Sequence, residues 1–263
     1  MNKKGICSYF GYTLKVGEYQ KLIKQSGFDC VITNADKKFD YQNGKIGKQI
    51  KYCKKYGLEL SSLHMAYHGN DLTQFWLDNA YGDMLEKNLI KDVKIAHKYG
   101  FNCVVVHLEG KKSQVGLERL KRVLVVCKKL NIPLALENIG FYELLKYCFD
   151  NIQDDYLKLC FDIGHQNCLD IGHDILDEFG DKLIALHLHS NNGREDEHTL
   201  NKYGNIDWHA FAKRLAELNP NINLDYEILM HTRHCETATD VLKEVYAQAC
   251  ELEKMIEQYK KSD

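Results

Sequence analysis

The chain has 263 residues, 44% hydrophobic and 27% charged, with a formal net charge of -2. That balance excludes a disordered or low-complexity chain, and the near-zero charge offers no global basic field for nucleic acid or an anionic membrane. The length is close to the roughly 250 residues of a single (β/α)8 barrel, so one domain over residues 1–263 is expected.

The chain opens on MNKKGICSYFGYTL, whose apolar stretch is too short and too interrupted for a signal peptide. From Ile6, ICSYFGY is the first of eight short apolar or β-branched runs. FDCVIT follows from Phe28, ELSSLHMAY from Glu59, NCVVVHLEG from Asn102 and PLALENI from Pro133. LKLCFDIGH from Leu157, LIALHLHSNN from Leu183 and LDYEILM from Leu224 complete the set. Between them lie segments of helical spacing. VGEYQKLIKQSG ends at Gly27, and 45–56, 114–130 and 207–218 are amphipathic. In YGDMLEKNLIKDVKIAHKYG, Met84, Leu85, Leu89, Val93, Ile95 and Ala96 gather mostly on one face before Gly100 caps the helix. Lysines and arginines at 111–129 read as a solvated helix face, and 236–259 closes the ring. Strand and helix alternating eight times point to a parallel sheet closed into an α/β (β/α)8 TIM barrel. No glycine-rich phosphate loop follows the first strand, which argues against dinucleotide binding.

The ten cysteines include no C-x-x-C, and several sit in apolar runs, such as Cys103 and Cys160. They read as buried thiols in a reducing compartment, the cytoplasm. Nothing approaches 18 consecutive apolar residues, so no membrane partner is expected.

In such a barrel the active site is built at the C-terminal ends of the strands. Here the third run finishes with His64, the fourth with His107, the fifth with Glu137, the sixth with Asp162 and His165, the seventh with His187 and the eighth with Glu227. Every one is a metal-ligand type. Roughly one residue in five is His, Asp or Glu, so chance fills six such ends at about one or two per cent. Four apolar residues lead directly into His107, Glu137 and His187, which buries their stems, and a buried charge needs a partner. A divalent cation satisfies several such groups at once. The loop HLHSNNGREDEHTL adds Asp196 and His198 at i, i+2, a spacing that suits one ion and that a solvated loop also explains. His189, His231 and His234 read as loop or supporting residues.

Together these residues resemble the xylose-isomerase-like barrel superfamily of sugar-phosphate isomerases and epimerases and endonuclease IV. The likeness covers essentially the whole chain. It is carried by LALEN with Glu137, FDIGH with Asp162 and His165, HLHSNNGREDEH with His187, GNIDW at 204–208 and DYE with Glu227. For the isomerase and epimerase branch, the resemblance implies a divalent metal held by Glu137, Asp162, His187 and Glu227. It also implies Glu137 and Glu227 as a proton-shuttling pair acting through an enediolate, with His165 and Arg194 holding oxygens of a sugar or sugar phosphate. His107 and His64 are further substrate-binding candidates. For the endonuclease IV branch, it implies three zinc ions on His64, His107, Glu137, Asp162, His165, His187, Asp196, His198 and Glu227, acting on abasic DNA. Tyr67, three residues after His64, fits that pattern.

The stretch REDEHTLNKYGNIDW resembles the isomerase-like members, and the net charge gives no counterion-release advantage on DNA. The expectation is a metal-dependent sugar or sugar-phosphate isomerase/epimerase. An endonuclease IV-like phosphodiesterase and a non-catalytic metal- or carbohydrate-binding barrel are the alternatives. The choice among Mn²⁺, Mg²⁺, Co²⁺ and Zn²⁺, the number of ions, the particular sugar and the oligomeric state stay open at this level.

Overall fold

Each of the eight apolar runs forms a strand in the computed structural model, which describes residues 2–15, 17–35, 45–230 and 237–261. The strands are β1 (Lys4–Cys7), β2 (Cys30–Asn34), β3 (Glu59–His64), β4 (Cys103–Val106), β5 (Leu134–Glu137), β6 (Leu157–Asp162), β7 (Leu183–His187) and β8 (Leu224–Tyr226). They are parallel, in the spatial order β7-β6-β5-β4-β3-β2-β1-β8. The seam between β7 and β8 is closed through one residue: Leu188 N donates to Asp225 O and Glu227 N donates to Leu188 O, both at 2.9 Å. The result is a (β/α)8 TIM barrel.

Alternation along each strand decides which side chains reach the interior. Cys103, Val105, Ala135, Cys160 and Ala185 form a separate inner cluster of small groups. Their neighbours Val104, Leu134, Leu136, Leu159, Phe161 and Leu186 belong to the larger core beneath the helices. Two positions beyond the last inner residue of β4, β5, β6 and β7 stand His107, Glu137, Asp162 and His187. β3 reaches this layer through a bulge. Val31 pairs with Leu60 and Thr33 with Leu63, so β3 uses three residues where β2 uses two. The extra residue lets both Ser61 and His64 face inward: Ser61 bonds the buried Asp225, and His64 joins the mouth.

The helices are α1 (Glu18–Gln25), α2 (Ile46–Tyr56), α3 (Ala80–Tyr99), α4 (Gln114–Leu130), α5 (Tyr142–Asn151), α6 (Ile163–Cys168), α7 (Ile175–Phe179), α8 (Trp208–Leu218) and α9 (Ala238–Lys260). α3 ends as expected at Gly100, whose φ of 85° suits a residue without a Cβ. Met84 is exposed, whereas Leu85, Leu89, Val93 and Ala96 are buried. α5, α6 and α7 add to the expected helices. The strand expected through FDIGH stops at Asp162, because its carboxylate accepts from His165 N (2.7 Å) and caps α6. His165 therefore stands on a helix rather than at a strand end, while His107 and Glu227 are the residues just past β4 and β8.

The basic residues at 111–129 are not one solvated face. Arg119 is 1% exposed, and its guanidinium donates to Phe75 O (2.8 Å), Leu77 O (2.6 Å), Asn79 O (3.3 Å) and Asp83 (2.7 Å). These acceptors belong to or follow the short turn Leu72–Trp76, whose carbonyls lack helical donors, so a buried arginine supplies them. Among the described residues nine cysteines carry free thiols, eight of them buried, and no helix is long and apolar enough to cross a membrane.

Candidate functional site

Glu137, at the end of β5, is the hub of the mouth. Its Oε2 lies 3.1 Å from His107 Nε2 and 3.3 Å from His64 Nε2, and its Oε1 lies 3.0 Å from His187 Nδ1 and 3.5 Å from His165 Nδ1. Glu227 Oε2 approaches the same His187 nitrogen at 2.9 Å. Asp196 Oδ2 lies 3.3 Å from His165 Nε2 and 3.1 Å from His198 Nε2, which draws the loop after β7 onto the cluster. His198 is held there by a φ of 47° and by its Nδ1 on Glu227 O (2.8 Å).

His64, His107, Glu137, Asp162, His165, His187, Asp196, His198 and Glu227 thus converge on one end of the barrel. Arg194 does not join them: it is exposed, and its backbone N–H donates to Asn192 Oδ1 (2.8 Å). The side chain has no partner among the described residues. Tyr67 packs its ring 5.0 Å from His64 and 4.8 Å from His107. His231 and His234 lie outside the described residues.

His189 is more than a supporting loop residue. It is fully buried, its Nε2 lies 3.1 Å from Asp162 Oδ1 and 3.5 Å from Asp196 Oδ1, and its ring stacks on His198 at 3.9 Å. The signal was in H-L-H: two residues apart on an extended segment, His187 and His189 share one face.

Charges in the cluster are mutually dependent. Burial opposes the Glu137 carboxylate, yet His187 and His107 hold it well below the ordinary range. Burial likewise opposes a charge on His187, but Cys160, Glu137 and Glu227 raise it well above its usual value. Against the same burial, Asp162 and Asp196 push His165 up to about 10, and Asp196 and Glu227 push His198 up to about 9. His107 goes the other way, lowered by burial despite Glu137. A set of protonated imidazoles clasped by carboxylates is what a cation would replace.

The residues fit such an ion. Ligand atoms of Glu137, Asp162, His187 and Glu227 all lie within 4.8 Å of one another, and the same holds for His64, His107 and Glu137, and for His165, His189, Asp196 and His198. Asp162 Oδ2 is buried without a hydrogen-bond partner among the described residues, a costly state that coordination relieves. Mixed imidazole and carboxylate donors suit Mn²⁺, Co²⁺, Zn²⁺ or Mg²⁺. Cys160 also stands near Glu137 and His187, but burial raises its pKa far above neutrality, so the thiol is a poor ligand. Beside the cluster a cavity of about 50 Å³ is lined by Tyr9, Asn34, Gln49, His64, Tyr67 and Glu227 among others.

A family model described as a xylose isomerase-like TIM barrel matches residues 20–250. An uncharacterized protein of Sinorhizobium fredii is 30% identical over 137 residues, which cover 49% of this chain and 44% of that protein. One from Methanocaldococcus jannaschii is 25% identical over 185 residues, 67% of this chain and 72% of its own length. The chain thus spans less than half of the first relative. Among solved structures, a D-tagatose 3-epimerase-like protein superposes with a TM-score of 0.77 at 20% identity, covering 97% of this chain and 98% of that one. The 3-keto-D-glucoside 4-epimerase of E. coli gives 0.68 at 15% identity over 95% and 98%, and a D-psicose 3-epimerase from Clostridium cellulolyticum gives 0.67 at 15% over 99% and 96%. At these identities the likeness establishes the fold.

Proposed function

Because this chain belongs to the xylose isomerase-like TIM-barrel family, we propose that it is a divalent-metal-dependent sugar or sugar-phosphate isomerase/epimerase. The observation that carries the reading is the approach of Glu137 and Glu227 to one nitrogen of His187, at 3.0 and 2.9 Å, with Asp162 in the same group. Glu137, Asp162, His187 and Glu227 would hold the cation, which would supply positive charge to stabilise an enediolate.

The protein's own residues do the rest. Glu137 and Glu227 face a shared point from β5 and β8, so one carboxylate takes the proton from the carbon next to a carbonyl and the other, once it has taken up a proton from solvent, delivers that one to the carbon. Their lowered pKa values keep the accepting carboxylate ionised at neutral pH. His64, His107 and His165 surround that point and bind substrate oxygens. Arg194 joins them only if its side chain turns in from the exposed loop.

The test is incorporation of solvent deuterium at the reacting carbon across a panel of ketoses and their phosphates, with bound metal measured alongside. Wild type should exchange; metal-loaded Glu137→Gln and Glu227→Gln should not. Exchange that survives in both variants would remove the pair from the mechanism.

A second reading has its own observation: three ligand groups lie side by side, the first two sharing Glu137. Two or three ions held there would supply the charge to clamp a phosphodiester and to activate a water. Two or three zinc ions per chain, metal-dependent incision of abasic duplex DNA and no exchange on any sugar would favour it.

A further inference from the structure

Three histidines aim the same nitrogen at one carboxylate. Nε2 of His165 and of His198 lies 3.3 and 3.1 Å from Asp196 Oδ2, and Nε2 of His189 lies 3.5 Å from Asp196 Oδ1. For two of them the opposite nitrogen is engaged: His165 Nδ1 donates to Asn138 O (2.9 Å) and His198 Nδ1 to Glu227 O (2.8 Å). A backbone carbonyl on Nδ1 fixes the tautomer whose Nε2 lone pair binds a metal, so both rings are oriented as ligands once Nε2 gives up its proton. Zinc bonds of about 2.0–2.1 Å to nitrogen and oxygen, at tetrahedral angles, set neighbouring donors roughly 3.3–3.4 Å apart. Asp196 keeps close to that spacing from all three rings.

His189 closes the set. The resemblance to endonuclease IV takes in His165, Asp196 and His198 but not His189, and three ligands leave a zinc ion one open position for water or substrate. His189 Nε2 fills that position. Its place is built into the fold: the ring is fully buried and stacks on His198 at 3.9 Å, and a Cβ on Gly164 would overlap it, so the glycine of FDIGH makes room for this imidazole. The four residues also stand apart from substrate space, since none of them lines the cavity beside His64 and Glu227. Donor chemistry separates the two sites further. The central group offers three carboxylates and one imidazole, whereas this one offers three imidazoles and one carboxylate, a nitrogen-rich set that selects zinc over Mn²⁺ or Mg²⁺.

We propose that His165, His189, Asp196 and His198 form a closed zinc site, separate from the central ion, that fastens the loop after β7 to α6 and leaves no position open to substrate. The ion engages His165 Nε2, so the oxygens of a sugar are then left to His64 and His107. The site stands whether or not the central group transforms sugars.

The probe is Co²⁺, added to the metal-free full chain in place of Zn²⁺, because its visible absorption is intense in a tetrahedral site and weak at higher coordination. Wild type should show the intense band and retain a zinc ion per chain through dialysis against Mn²⁺. With zinc bound it should also resist trypsin at Arg194, which is exposed on the same loop. His189→Phe keeps a ring in the space left by Gly164, and Asp196→Asn changes an exposed position. Each should abolish the band, weaken zinc binding at least about 100-fold and restore cleavage after Arg194. Glu227→Gln should leave the band in place. No intense band in wild type, or a band and affinity unchanged in His189→Phe, overturns the closed site. Zinc lost on dialysis with cleavage unaffected also overturns it, in favour of an ion-pair cluster alone. Cobalt of higher coordination on these residues, together with incision of abasic duplex DNA, overturns it in favour of the nuclease reading. A band that responds to His189→Phe in a protein that exchanges no sugar supports the site and sinks only the sugar chemistry.

Discussion

At the scale of single residues the mouth is a balance of charge. Asp162 is buried with one oxygen unpartnered, and His187 sits between two carboxylates. Asp162→Ala or His187→Ala should weaken metal binding about 100-fold or more, and Asp162→Ala should also lower the melting temperature of the metal-free protein because it removes the cap of α6. Unchanged affinity in both variants would refute the assignment. The same balance sets a pH dependence. Against the effect of burial, His187 is raised well above its usual value by Cys160, Glu137 and Glu227; it holds a proton at neutral pH in the metal-free state, and ligation must remove it. Affinity should therefore rise between pH 6 and 9, by about tenfold per pH step for each proton released. Calorimetry in buffers of differing ionisation enthalpy counts those protons.

Asp225 titrates with the opposite consequence. It lies inside the barrel against Ser61 and the Cys30 thiol, and burial pushes it up to about 6 from 3.8. Folding therefore favours its protonated form. That stability is full below about pH 4 and is lost as pH rises through about 6, a loss of about 3 kcal/mol. Asp225→Asn stays neutral throughout, so its melting temperature should fall less than that of wild type between pH 5 and pH 8. Equal falls would show that the carboxyl does not titrate there.

At the scale of elements, the sequence carried the strands better than the helices between them. All eight runs are strands because short continuous runs of β-branched and apolar residues suit a parallel sheet covered on both faces. α6 escaped notice because the apolar run continues past Asp162, and only the capping bond turns the chain into a helix. α5 had a legible pattern in Leu144, Leu145, Cys148 and Phe149. Arg119 misleads for a different cause: its partners lie about 40 residues away, on a turn whose need for donors appears only in three dimensions. Arg119→Met should cost about 3 kcal/mol, since it leaves buried carbonyls unpaired, and chemical denaturation measures it. A loss below about 0.5 kcal/mol would mean that water replaces the guanidinium. Of the site, the strand-end residues were legible because position in this fold has chemical meaning. The part played by His189 was legible only in its H-L-H spacing from His187, since its burial follows from how the loop after β7 folds back.

At the scale of the whole molecule, the barrel brings together residues from 64 to 227, so the site exists only when the ring is complete. Its narrowest join is the pair of bonds made by Leu188, flanked in sequence by His187 and His189 and bonded across to Asp225 and Glu227. The backbone latch of the ring and the ligands of its mouth are therefore the same short stretch of chain. An ion that draws His187 and Glu227 together also fastens the latch, so the amides of Leu188 and Glu227 become built-in gauges of occupancy. In hydrogen-exchange measurements they should slow on metal addition more than amides in the middle of β4. Uniform slowing across all strands would mean that the ring closes independently of its cargo.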